Sequence, residues 1–226
     1  MTKAQVIAIC DEITGGLSKT TKMPEASNAI PAKNCKVGTT LRGIKGSVCH
    51  KCYAFERGNY QWEVVKNAQE RRYKKLYHPL WVRAMTMLLW LKVKAYFRWH
   101  DSGDIDSIKH LCNIIEVCVN TPHIKHWLPT KEKRLVREFL NRGGVIPANL
   151  VISMSGYFVD GGTVKGFDNE PQITHHLTYS KRNRDGAVSK GYVCPVEDDL
   201  GFKSCDKANC FSCWDATVPV VVGGLH

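Results

Sequence analysis

No stretch of this 226-residue chain stays apolar for long enough to cross a bilayer. The longest candidate, AMTMLLWLKVKAYF, is interrupted by Lys92 and Lys94 and falls short of the roughly 20 residues a spanning helix needs. The opening residues, MTKAQVIAICDEITGG, lack the basic start, apolar core and small-residue cleavage site of an export signal. A cytoplasmic location with no membrane contact is therefore expected. Internal repeats and low-complexity tracts are missing too, which excludes solenoids and disordered arrays. Acidic residues are scarce beside basic ones, 21 Asp and Glu against 32 Lys and Arg, leaving a formal charge of +11. That balance suits an anionic, phosphate-bearing partner.

Cysteine, by contrast, is abundant. The chain has ten, and without an export signal clustered thiols point to metal ligation or redox chemistry rather than to a disulfide framework. Three fall in apolar helical surroundings and read as small core residues: Cys10 in QVIAIC, and Cys112 and Cys118 in DIDSIKHLCNIIEVCVN. In the latter, Ile108, Leu111, Cys112, Ile115, Cys118 and Val119 follow the spacing of a buried stripe, with Asp104 or Asp106 as the cap. The other seven form two groups: Cys35, Cys49 and Cys52 near the start, and Cys194, Cys205, Cys210 and Cys213 near the end.

The second group reads C-x10-C-x4-C-x2-C. Four thiolates satisfy either tetrahedral zinc or a 4Fe-4S cluster. Pro195 directly after its Cys, and the aromatics Tyr53 and Trp214 directly after the C-x2-C pairs, favour iron, because bulky rings shield a cluster from water. Pairing of CHKC with CFSC in one zinc site is the opposing reading. Spacing leaves open whether one or two metal centres form and which thiols share them.

The scaffold reads as one α/β domain over residues 1–226, with the Cys-rich segment 194–226 packed on it. Helix is expected from Tyr60 to Leu91 with a break at Pro79, its core side set by Trp62, Val65, Tyr73 and Leu76. Strands AYFRWH, HIKHWL and NLVISMS then alternate with helices. Short alternating connections imply a parallel sheet with crossover helices. Three strands are clear, and parts of the N-terminal third and VPVVVGG could add one or two more. That is too few for a complete eight-unit barrel, so a partial TIM-barrel-like sheet with Cys-rich loop segments at both ends is expected.

Such sheets place chemistry at the carboxyl ends of their strands. There the first strand reads FRWHDSGD. Ser102 and Gly103 suffice for a turn and Thr130 for a helix cap, but an ionisable run ending a buried strand is costly without partners. Arg98 is assigned to an anionic ligand, and His100 and Asp101 to proton transfer or to hydrogen bonds that support the groups touching the ligand. Basic runs in KNAQERRYKK and TKEKRLVR offer a second class of function, a nucleic-acid module whose contacts would include Lys66, Arg71, Lys74 and Lys75.

CHKCY, followed by a parallel βα succession, is similar to the closing half of the radical SAM motif C-x3-C-x2-C, although the position four before Cys49 is Lys45 and Cys35 lies fourteen residues upstream. A closer resemblance is to the "gene product 88" family of phage and prophage proteins. It rests on GGLSKTTKMP, IPAKNCKVGTTLRGIKGSVCHKCYAF, YFRWHDSGDI, HWLPTKE, PANLVISMSG and CFSCWDATVPVVVGGLH, which cover most of the chain in order. The resemblance implies that both thiol groups and the FRWHDSGD strand belong to one site-bearing scaffold holding an iron–sulfur cluster, located in the host cytoplasm for a viral protein. It implies no particular reaction. The expectation is an iron–sulfur protein, a redox or radical-type enzyme with a small-molecule ligand; a zinc-stabilised nucleic-acid-binding module is the alternative.

Overall fold

The computed structural model describes residues 1–167, 169–197 and 201–225. Eight helices are assigned: α1 (Lys3–Thr14), α2 (Lys36–Arg42), α3 (Tyr53–Glu56), α4 (Glu63–Lys75), α5 (Trp81–Lys92), α6 (Ile108–Val119), α7 (Lys133–Asn141) and α8 (Arg184–Val188). Six strands join them: β1 (Tyr96–Arg98), β2 (Lys125–Thr130), β3 (Leu150–Ser155), β4 (Ile173–Tyr179), β5 (Tyr192–Val193) and β6 (Val220–Gly224). They form one parallel sheet in the order β1-β2-β3-β4-β6-β5, curled into a half-barrel. The α/β class and partial barrel thus follow expectation, with more strands than the three that were clear. No helix among the described residues is long and apolar enough to cross a membrane.

Alternation along each strand sorts the two faces. Phe97, Trp99, Leu128, Leu150, Ile152 and Met154 face the helices in one large core with Trp81, Met85, Leu89, Leu111 and Ile114. Tyr96, Trp127 and Val221 face the other way, into a second cluster closed by the C-terminal segment. Trp214 anchors that segment: it is buried, packs edge-on against Tyr96 and Trp127, and donates from Nε1 to the Phe97 carbonyl at 2.9 Å. The helix break at Pro79 holds, separating α4 from α5.

Several local expectations are revised. The cap of α6 is Ser107, whose hydroxyl accepts from the His110 amide at 3.1 Å. Asp104 instead clamps the ends of β1 and β2, accepting from Ile105 N (2.8 Å), Thr130 Oγ1 (2.5 Å) and Lys131 N (2.9 Å). Cys112 and Val119 are exposed, because the buried stripe of α6 runs through His110, Leu111, Ile114, Ile115, Val117 and Cys118. Trp62 lies outside the α4 core face, 59% exposed. The N-terminal third adds no strand to the sheet, but residues 26–30 run along the free edge of β1. Asn28 N donates to Arg98 O, Asp101 N to Asn28 O, and Ile30 N to Ser102 O, each at 3.0 Å.

Candidate functional site

Strict alternation would send His100 to the same face as Arg98. It does not. His100 adopts a left-handed backbone, φ 53°, and this one residue of reversed handedness turns its ring toward the helices, where it packs on His110 at 5.3 Å. Neither ring nitrogen of His100 has a hydrogen-bond partner among the described residues. Burial, with the neighbouring His110 and Arg98, holds its pKa well below the usual histidine range. Asp101 is thereby returned to the side of Arg98. Gly103 completes the turn at φ 84°, where an added Cβ would collide with the Ile30 side chain and lie 2.7 Å from its carbonyl oxygen.

Arg98 and Asp101 line a cavity of about 730 Å³, of a size suited to a small molecule. Its walls come from the loop of residues 17–23, from α3 and α4, and from Glu197. Tyr60 donates to Asp101 Oδ2 at 3.2 Å, and Tyr53 donates to the Asp101 carbonyl at 3.0 Å. Burial raises the Asp101 pKa against the pull of Arg98. The Arg98 guanidinium lies over the Trp127 ring, 4.5 Å from its centroid, and approaches Met23 Sδ at 3.8 Å. Arg72 is committed to the scaffold: it donates to the carbonyls of Gly16 (2.8 Å), Leu17 (3.0 Å) and Ala29 (3.5 Å), pinning the loop that forms one wall. Glu197 Oε2 lies 3.3 Å from His176 Nε2. It fits because β6 ends in glycine, since a Cβ on Gly223 would occupy the position of the Glu197 carboxylate. Tyr60, Gln69, Arg72 and Glu197 were not anticipated as site residues. They come from an α4 region read for its periodicity and its basic run, and from a loop read only for its cysteines.

The two thiol groups stand as separate sets. Cys194, Cys205, Cys210 and Cys213 lie near one another, beside Arg98 and Glu197, on the face of the sheet opposite the helices. Cys194, Cys205 and Cys210 are buried, and Cys194, Cys205 and Cys213 share a hydrophobic cluster with Met23, Phe211 and Trp214. Burial raises Cys194 to about 12, Cys205 to about 11, and Cys213 as well. Cys210 accepts from Tyr192 at 3.4 Å. The loop joins the cavity wall directly, since Cys205 N donates to Lys22 O at 3.0 Å.

Cys35, Cys49 and Cys52 form the other set, near Asp104 and Lys131 at the carboxyl end of β2. Burial pushes Cys35 and Cys49 upward, and Lys131 pulls Cys49 back. Gly38 leaves them room: a Cβ there would lie 2.8 Å from Cys35 Cβ and within 4 Å of both the Cys35 and Cys49 sulfurs. Glu132 fixes the helix that carries this glycine by accepting from Val37 N at 3.0 Å. Among the described residues no three or more His, Cys, Asp or Glu side chains stand ready positioned to hold a metal ion. The thiols are gathered rather than closed on a centre. Of the two aromatic residues expected to shield a cluster, Trp214 packs within the four-thiol set, whereas Tyr53 lines the cavity.

Against known proteins, the family model described as Gene product 88 matches residues 11–214, a span that includes all seven clustered cysteines, Arg98 and Asp101. The similarity to radical SAM proteins draws no support from the comparisons. No curated protein and no solved structure matches the chain.

Proposed function

The chain belongs to the Gene product 88 family, a phage-type family, and from that premise we propose that it is an iron–sulfur protein whose cluster serves a ligand held in the neighbouring cavity. The observation that carries this reading is the gathering of Cys194, Cys205 and Cys213 in one apolar cluster, with Cys210 beside Cys205. The donor set fits. Cys194, Cys205 and Cys213, raised by burial and with Arg98 as the cation beside the latter two, stay protonated until a metal supplies the charge that ionises them. A 4Fe-4S cluster supplies one-electron transfer when bound.

This chain's own residues do the rest. Arg98 binds an anionic group of the ligand, and Asp101, held by Tyr60, accepts or returns a proton. Trp214 and Phe211 exclude water from the thiols. Four cysteines leave no coordination position for substrate, so the ligand is served from across Arg98 and Met23 rather than by the metal directly. The Cys35, Cys49 and Cys52 set is a second place for a metal, one ligand short of a closed site. Purification without oxygen, followed by iron and acid-labile sulfide analysis and a visible spectrum, tests the reading: four of each per chain and a broad band near about 400 nm are expected for one 4Fe-4S cluster. Colourless protein with stoichiometric zinc refutes it.

A second reading rests on α4, which exposes Lys66, Arg71 and Lys74 along its length. On that reading the thiols bind structural zinc and the helix follows a phosphate backbone. Neutralising those three residues together with Lys75 would then weaken nucleic-acid binding and flatten its salt dependence.

A further inference from the structure

The cavity holds polar atoms that the protein itself leaves unsatisfied. Gln69 Nε2, Arg98 Nε and Thr20 Oγ1 have no hydrogen-bond partner among the described residues, and all three residues line one space with the Asp101 carboxylate, which has Tyr60 and Ser27 beside it. Gln69 and Asp101 are each only 3% exposed. Buried polar groups are nearly always satisfied, and each one left unmade costs its desolvation. Three in one cavity, two N–H donors and one hydroxyl, therefore describe part of the complement of a missing molecule, with the Asp101 carboxylate as a further acceptor beside them.

Charge and shape narrow the molecule further. Lys19, Lys22, Arg72 and Arg98 line the cavity against Asp101 and Glu197, four cations to two anions. Arg72 already donates to three carbonyls, and Glu197 has His176 beside it, so Arg98 and the two lysines face the ligand. Rings supply the apolar surface. Tyr53 and Tyr60 meet edge to face at 5.5 Å, and Trp62 at the mouth is 59% exposed, with no core to cover it.

We propose that the cavity binds a free mononucleotide, an anionic group joined through a hydroxyl-rich linker to a flat ring. The phosphate meets Arg98 and the lysines of the 17–23 loop, a ribose hydroxyl or exocyclic amine donates to Asp101, and the base stacks on Trp62. The inference builds on the reading of this cavity as the ligand site, but it requires no metal.

Calorimetric titration of the full chain, purified without oxygen, with the four ribonucleoside 5′-monophosphates tests it, with adenosine and inorganic phosphate as separate arms. At least one mononucleotide should bind, more tightly than either part alone. Trp62→Ala should weaken it about tenfold with iron and sulfide content unchanged, and Arg98→Met should weaken it about tenfold or more. Should Arg98→Met fail to fold, Gln69→Leu replaces it, removing one unsatisfied donor at similar volume. Binding by none of the four, or binding that ignores both substitutions, overturns the proposal. Nucleotide binding by iron-free protein keeps this inference and removes the iron–sulfur reading, whereas iron-loaded protein that binds none of the four does the reverse.

Discussion

Acidification should weaken this fold through histidines buried as neutral rings, and His110 is the place to measure it. Its ring is completely buried, packs edge-on against Trp81 at 6.0 Å, and accepts at Nδ1 from the Asp106 amide at 3.2 Å. Burial lowers its pKa to about 4, and that of His126 to about 3. Below the unfolded value of about 6.5 the unfolded chain takes up protons that the native rings refuse. The stability these residues contribute is thus complete above about pH 6.5 and is lost as pH falls from there toward their native values. Between pH 7.5 and 5.0 each ring costs the native state about 2 kcal/mol, from about 1.4 kcal/mol per pH unit over the interval in which only the unfolded state is protonated. Asp101 and Asp104, raised by burial, work in the opposite direction, so the total change is not diagnostic. A difference of differences is. Urea unfolding followed by circular dichroism at both pH values, for the native chain and for His110→Gln, should give a drop about 2 kcal/mol smaller in the variant. A variant whose drop equals that of the native chain would refute the assignment of His110 as a buried neutral base.

The remaining expectations are more local. Gly103→Ala should destabilise by about 3 kcal/mol, from the left-handed backbone and the collision with Ile30, whereas Gly46→Ala, equally left-handed at φ 87° with open space at its Cβ, should cost about 1 kcal/mol; equal losses in chemical denaturation would contradict the role given to Ile30. Cys210→Ser should abolish iron and sulfide while the exposed Cys112→Ser leaves both, and metal analysis of the two variants decides it. Arg72→Met removes a guanidinium from three carbonyls of the 16–29 segment. Amide exchange of residues 17–23 should accelerate by at least about tenfold, against unchanged exchange in β2 and β3.

How much of this was legible beforehand depended on the range of the forces involved. Strands β1, β2 and β3 are short apolar runs between helices, and their β-rich composition announces them. Strand β4 reads ITHHLTY, with two central histidines that suggest surface, yet His175 is buried because β4 lies inside the sheet between β3 and β6. Strand β5 is two residues long and is defined by pairing with β6 alone, a contact that no local pattern encodes. In the site, Arg98 and Asp101 were found from their place at a strand end. The inward turn of His100 depends on one positive φ that a non-glycine residue does not advertise, and Gln69 and Tyr60 reach the cavity only through the way α4 docks.

The pairing of β5 with β6 bears on assembly. Val193 and Val222 are register partners, so the segment that carries Cys194, Cys205, Cys210 and Cys213 is a loop whose two feet are hydrogen-bonded neighbours. The entropy of bringing distant ligands together grows with the length of chain to be closed, and here the sheet meets that cost before any metal arrives. The coupling works in both directions. A two-residue strand with one neighbour is weakly held, and a centre bound across the loop would act as a clasp on it. Metal loss should therefore register first as fraying at the β5 edge, baring the outer side of β6 as an unpaired strand, a surface on which other chains can add.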